Sequence, residues 1–281
     1  MQFGNSEIYV VSDGSFKMDG GAIFGVVPKA IWSNKITPDP QNCINIALNC
    51  ILIKHLNKTI LIDTGIGTKL TDNIKSRFSA NSGNLVDNLK SINVDPSDID
   101  YVVITHLHFD HVGGCTAYND DGGLYNVFPN ATHLIQKKDW DEATILNDRT
   151  RNAYNEQDFM PLYDKQQLEL INGDVELLPD LNIHLTGGHT SGHQIVRFST
   201  QDRTFATLGD VLPTEHHLPS NYVTSFDINP LETVTAKNQW LPIAESEQWL
   251  ISFGHSENTA LGFITRDEQG RMYISPYNGE K

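Results

Sequence analysis

Eleven histidines occur in this chain of 281 residues, and three of them crowd into the run His106-Leu107-His108-Phe109-Asp110-His111. Imidazole and carboxylate groups at that density suit a transition metal: zinc first, with iron, manganese or cobalt as alternatives. The run begins where Tyr101-Val102-Val103-Ile104-Thr105 ends, a short apolar stretch typical of a strand buried on both faces. Alternate residues of an extended segment point the same way, so His106 and His108 can grip one ion together. Asp110 and His111 lie past the strand end, where the chain turns, and can face a second ion. Gly113-Gly114 then permits a tight turn. The plainer alternative, a solvated His-rich turn, leaves this spacing unexplained.

Further ligands must come from elsewhere. Three candidates each follow a strand and sit directly after a glycine: His189 in Gly187-Gly188-His189, Asp210 in Gly209-Asp210, and His255 in Gly254-His255. Glycine lets the backbone turn such a side chain into a shared cleft. Two metals about 3.5–4 Å apart bring a shared water near neutral pKa and polarise a substrate oxygen. No nucleophilic side chain is then required. Hydroxide attacks a carbonyl or phosphorus centre, and Asp110 is the group best placed to move a proton to the leaving oxygen.

The elements that position these residues are mostly strands. Residues 8–11, 44–53 and 59–62 are β-branched and apolar, with Gly, Asn or Asp between them. Residues 84–92 read as an amphipathic helix with Leu85, Leu89 and Ile92 on one face. A second set of strands is expected at 133–135, 182–185, 195–198, 204–208 and 249–253, with a helix over 230–247. Residues 262–265 and 272–275 form a hairpin with Gly270 at its turn. Two β-rich halves with helices predict an α+β protein of stacked sheets covered on the outside by helices. No linker divides the chain, so 1–281 is expected to be a single domain, with a helical insertion or lid near 139–170.

Composition narrows the partners. Twenty basic against 35 acidic side chains give a formal charge of −15, a surface that repels phosphate backbones and disfavours nucleic acid. No apolar run reaches the ~20 residues of a membrane span. The three cysteines, Cys43, Cys50 and Cys115, include no C-x-x-C pair and suit a reducing compartment. The N-terminus lacks the pattern of a signal peptide, so a cytoplasmic protein with a small-molecule substrate is expected.

The ordered set His106-x-His108-x-Asp110-His111, His189, Asp210 and His255, preceded by Leu61-Ile62-Asp63-Thr64-Gly65, resembles the metallo-β-lactamase superfamily in its dinuclear hydrolase form. The resemblance implies a four-layer αβ/βα sandwich with two divalent metals at one edge, between two mixed sheets. It implies His106, His108 and His189 on one metal, Asp110, His111 and His255 on the other, and Asp210 bridging both. Asp63 would accept a hydrogen bond that orients a ligand histidine; His193 is read as a supporting hydrogen bonder.

The stretch from Asp19 to Lys29, together with Phe109, looks like the branch of quorum-quenching acyl-homoserine lactonases and methyl-parathion hydrolases. That branch implies opening of N-acyl homoserine lactones by a metal-bridging hydroxide, with an organophosphate or aryl-ester hydrolase as the alternative. Many of its lactonases carry a tyrosine three residues after the bridging aspartate, where Pro213 stands here. Ile23, Phe24, Trp32 and His217 are expected to line the substrate pocket. The apolar loop that carries the first three could instead be a homodimer contact.

Overall fold

A computed structural model describes residues 1–279. The chain divides into two compact units: residues 1–16 with 47–173, and residues 17–46 with 174–281. The chain leaves the first unit near the end of its second strand and returns to it early in the third.

The strands of the first sheet are β1 (Gln2–Phe3), β2 (Ser6–Asp19), β3 (Cys43–His55), β4 (Lys58–Ile62) and β5 (Tyr101–Val103). A small hairpin, β6 (Thr116–Tyr118) with β7 (Leu124–Asn126), stands apart from it, and β8 (Thr132–Gln136) and β9 (Leu168–Ile171) complete it. Its order is β1-β2-β3-β4-β5-β8-β9. The β3–β4 pair is antiparallel, whereas β4–β5, β5–β8 and β8–β9 are parallel. The second sheet runs in chain order: β10 (Val175–Leu178), β11 (Leu181–Leu185), β12 (Gln194–Ser199), β13 (Thr204–Thr207), β14 (Leu250–Ser252), β15 (Leu261–Arg266) and β16 (Met272–Pro276). Only β13–β14 is parallel there, because the long helix between them returns the chain to the same end. Two mixed sheets with helices make the fold α+β, as expected.

The helices are α1 (Gly20–Phe24), α2 (Lys29–Trp32), α3 (Asp72–Phe78), α4 (Leu85–Ser91), α5 (Phe109–Val112), α6 (Lys137–Thr144), α7 (Glu156–Asp164) and α8 (Pro230–Ser246). The amphipathic reading of 84–92 corresponds to α4, which buries Leu85 and Leu89. The expected hairpin is β15–β16, with Gly270 at φ +77°. The segment expected to be helical near 139–170 holds α6 and α7 but ends in β9. The apolar loop from Ile23 to Trp32 is largely the short helices α1 and α2, the first capped by Asp19, whose carboxylate accepts from the Ala22 N–H at 2.9 Å. Among the described residues no helix is long and apolar enough to cross a membrane.

Each unit has its own core. In the first, Leu52, Leu61, Val102 and Leu107 pack with Phe128, Phe159 and Leu162. In the second, Ile195, Leu208, Trp249, Ile251 and Phe253 pack under Leu241 and Ala244 of α8. That helix also buries Lys237, whose ammonium donates to the carbonyls of His217, Pro219 (2.8 Å) and Tyr222 (2.8 Å). Burial pulls its pKa down to about 7.

Candidate metal centre

In the first unit the donors are delivered together. β5 is held between β4 and β8 in parallel register, and its last backbone bond runs from the Ile104 N–H to Leu134 O at 3.2 Å. Asp63 follows the neighbouring strand β4 in a left-handed conformation (φ +57°), a strained geometry that clusters at functional sites. Its carboxylate accepts from the Thr105 N–H (2.7 Å), the Thr105 hydroxyl (2.8 Å) and His111 Nδ1 (2.9 Å). The Thr105 hydroxyl proton is thus committed to Asp63, so Thr105 Oγ1 accepts from His106 Nδ1–H at 3.2 Å. Both rings are thereby assigned an Nδ1 proton, which leaves Nε2 of each as a lone pair.

His106 Nε2 lies 3.0 Å from His108 Nδ1. The donor atoms of His106 and His111, and of Asp110 and His111, lie within 4.8 Å of each other. His108 precedes α5 at its N-cap position without a side-chain capping bond, and Asp110 and His111 occupy that helix rather than an open turn.

Two features of this half were not visible in the sequence. The carboxylate of Asp139, buried at the start of α6, accepts the Leu107 N–H at 2.5 Å and so fixes the backbone between the two histidines. The Gly113-Gly114 pair is needed for space, not for turn conformation, since the backbone at Gly113 is right-handed. A Cβ at Gly113 would lie 2.3 Å from Ile66 O, and one at Gly114 would lie 2.2 Å from Thr64 O.

In the second unit the three donors arrive singly, after β11, β13 and β14. His189 follows Gly187 and Gly188, His193 accepts the Asp210 N–H on Nε2 at 3.0 Å, and the His255 N–H is tied to Pro213 O at 3.0 Å. The Asp210 carboxylate presents one oxygen to each histidine: Oδ2 to His189 Nε2 and Oδ1 to His255 Nε2, both at 3.2 Å. His189 Nδ1 lies 2.9 Å from the buried carboxylate of Asp227. Burial pushes that carboxyl up, but the His189 ring and two threonine hydroxyls hold it below the usual carboxylate range. Asp227 was missed because a lone aspartate ahead of a helix carries no metal signature.

The donor sets fit divalent transition metals. With Nδ1–H of His189 directed at Asp227, its Nε2 lone pair faces a carboxylate oxygen of Asp210 at 3.2 Å. Two acceptors brought that close repel unless a cation is shared between them.

The expected pocket residues are placed differently. Ile23 is buried, Phe24 and Trp32 are 1% exposed and His217 is fully buried. Phe24 is stacked between Trp32 (5.3 Å, 3°) and His217 (4.8 Å, 9°). The Ile23 carbonyl accepts from His217 Nε2 at 3.1 Å. Burial holds the His217 pKa down to about 3. These side chains form a closed aromatic stack and present no open wall, because ring-on-ring packing buries more area than a lining position would. The exposed apolar groups of that segment are Val26 and Ile31.

The first unit instead contains a cavity of about 400 Å³ reaching Phe109 of the motif and lined on its apolar side by Ile66, Leu70, Ile74 and Phe78. Its other side carries Tyr154, whose ring is 5.2 Å from that of His108, and the buried Lys69–Asp158 ion pair at 3.1 Å.

Two mixed sheets, each ending in a set of imidazole and carboxylate donors, define a metallohydrolase scaffold. The family model of the metallo-beta-lactamase superfamily matches residues 46–255. The chain belongs to that superfamily and is a metal-dependent hydrolase with its fold. An N-acyl homoserine lactonase of Bacillus thuringiensis is 24% identical over 229 residues, covering 77% of this chain and 84% of the relative. The lactonase AttM of Agrobacterium fabrum is 29% identical over 188 residues, 63% of this chain and 66% of the relative. A crystal structure of a probable metal-dependent hydrolase from Staphylococcus aureus superposes with a TM-score of 0.90 at 30% identity, covering all of both chains. The fold is shared with AidC, a dizinc quorum-quenching lactonase (TM-score 0.82, 19% identity, 100% and 97% coverage).

Proposed function

We propose that this protein opens the ring of N-acyl homoserine lactones. The observation that carries the reading is the Asp210 carboxylate, with one oxygen facing each of two histidine Nε2 atoms at 3.2 Å. His106, His108 and His189 would hold one ion, Asp110, His111 and His255 the other, and Asp210 both. The imidazole and carboxylate donors favour zinc. Bound there, the metals supply an acidified water and a Lewis acid for the substrate carbonyl.

The remaining work falls to the chain. Asp63 and Asp139 fix the rings and backbone of the contiguous motif before substrate arrives, so little reorganisation accompanies the reaction. Asp110 takes a proton from the attacking water as its oxygen bonds to the carbonyl carbon, and passes it to the departing ring oxygen as the ring C–O bond breaks, giving the open hydroxy acid. The cavity beside Phe109 takes the acyl arm. The relatives named lactonases support this substrate class. Cys43, Cys50 and Cys115 form no disulfide, which fits residence in a reducing cytoplasm.

The test is kcat/KM for one preparation of known metal content over acyl-homoserine lactones, aryl esters and organophosphate triesters. Acyl-homoserine lactones should lead the panel. A preference for the triesters would replace this reading with the methyl-parathion-hydrolase type.

A further inference from the structure

His189 is enclosed by a segment that touches it at several points. The Ile228 N–H donates to His189 O at 3.2 Å and the Asn229 N–H to Gly188 O at 2.9 Å. Gly188 has φ +87°, and a Cβ there would lie 2.4 Å from Thr233 Oγ1, so only glycine admits the first turn of α8 this close. Within this enclosure Asp227 Oδ1 meets His189 Nδ1 at 2.9 Å and the Thr224 hydroxyl at 2.6 Å, while Oδ2 accepts from the Thr233 hydroxyl. Asp227, Thr224 and Thr233 are all buried. A buried carboxylate with each oxygen claimed by a donor has one stable orientation, and it imposes one tautomer on the ring it faces.

We propose that Asp227 is the positioning residue of His189, with Thr224 and Thr233 fixing Asp227 in turn. The assignment rests on the reading of His189 as a metal ligand. Asp227 fixes the His189 proton on Nδ1 and aims Nε2 at the metal. Since His189 serves one of the two ions, Asp227 governs the affinity of that ion and leaves the other alone. Asp63 plays the matching part for His111.

Competition of the cobalt-loaded protein against a chelator, followed by the visible cobalt spectrum, reads the two ions separately. Thermal unfolding of the metal-free protein reports the fold. Asp227→Asn should weaken one binding step about 10–100-fold and shift its absorption band, with the other step unmoved. Thr233→Val, which keeps the carboxylate and loosens it, should weaken the same step by less. Should Asp227→Asn fail to fold, Thr233→Val decides alone: a selective shift supports the proposal and no shift overturns it. Two unmoved steps in folded Asp227→Asn would reduce Asp227 to packing. Equal weakening of both steps together with a lower melting temperature would also overturn the proposal, because it signals general damage. A wild-type protein that takes fewer than two ions would sink the dinuclear reading instead.

Discussion

The two donor sets are delivered by opposite strategies. In the first unit a single strand end and one short helix carry His106, His108, Asp110 and His111 in succession. In the second, His189, Asp210 and His255 come from three separate strand ends and meet only if β11 to β14 pair in register. The first arrangement is local and is fixed by nearby groups: Asp63, Thr105 and Asp139. The second is global and inherits its accuracy from a whole sheet. Both nevertheless use the same local device, an aspartate that receives a histidine Nδ1–H and a threonine hydroxyl.

The sharpest way to break the comparison is to remove the residue on which the global set depends. Asp210→Ala should lower activity by roughly 10³-fold, the scale of losing a group that stabilises the transition state, with metal per chain falling well below wild type. Retention of two ions would show that the second set does not rely on it.

A smaller effect separates ligation from chemistry within the first set. Asp110→Asn should slow lactones about 10²-fold or more while slowing nitrophenyl esters distinctly less, because nitrophenolate leaves without a proton. Equal losses, with metal content checked, would leave Asp110 as a ligand only.

Backbone packing should differ between the glycines after His111 and before His255. Gly113→Ala forces a Cβ to 2.3 Å from Ile66 O and should cost about 1–3 kcal/mol in chemical denaturation. Gly254→Ala meets nothing within 4 Å and needs no left-handed backbone, so its cost should stay within about 0.5 kcal/mol. A costly Gly254→Ala would show that the turn into His255 is as tightly built as the one after His111.

The mildest probe is acid. His217 has a folded pKa of about 3 against 6.5 for a free histidine, and His133, in the first unit, about 4. Both are buried, so the folded state resists protonation while the unfolded state accepts it. Their stabilising contribution is complete above pH 6.5 and is lost as pH falls from there toward 4 for His133 and toward 3 for His217. His217→Gln should flatten the acid limb of a stability-versus-pH curve. An unchanged limb would place the sensitivity elsewhere.

The contrast between the halves also explains what could be read beforehand. The contiguous motif was legible because its imidazole and carboxylate side chains share one strand end, and most strands were legible from their β-branched runs. His189, Asp210 and His255 were recognisable mainly through their order along the chain. Asp227 and Asp139 were not, since each acts across a long sequence separation and nothing local distinguishes it from a surface aspartate. Around Phe24 and Trp32 the sequence is ambiguous, because apolarity alone does not separate a wall from a core. The stack depends on His217, nearly two hundred residues away.

The scatter of the second donor set also has a consequence in time. The first four donors have all been synthesised once His111 is added, whereas His255 follows 144 positions later. At about 5–20 residues per second, the early donors wait roughly 7–30 s for the last one. Throughout that interval a growing chain displays four of the seven candidate donors. On the proposed ligand assignment, both ion sites are complete only at the end of synthesis, once His255 has been added.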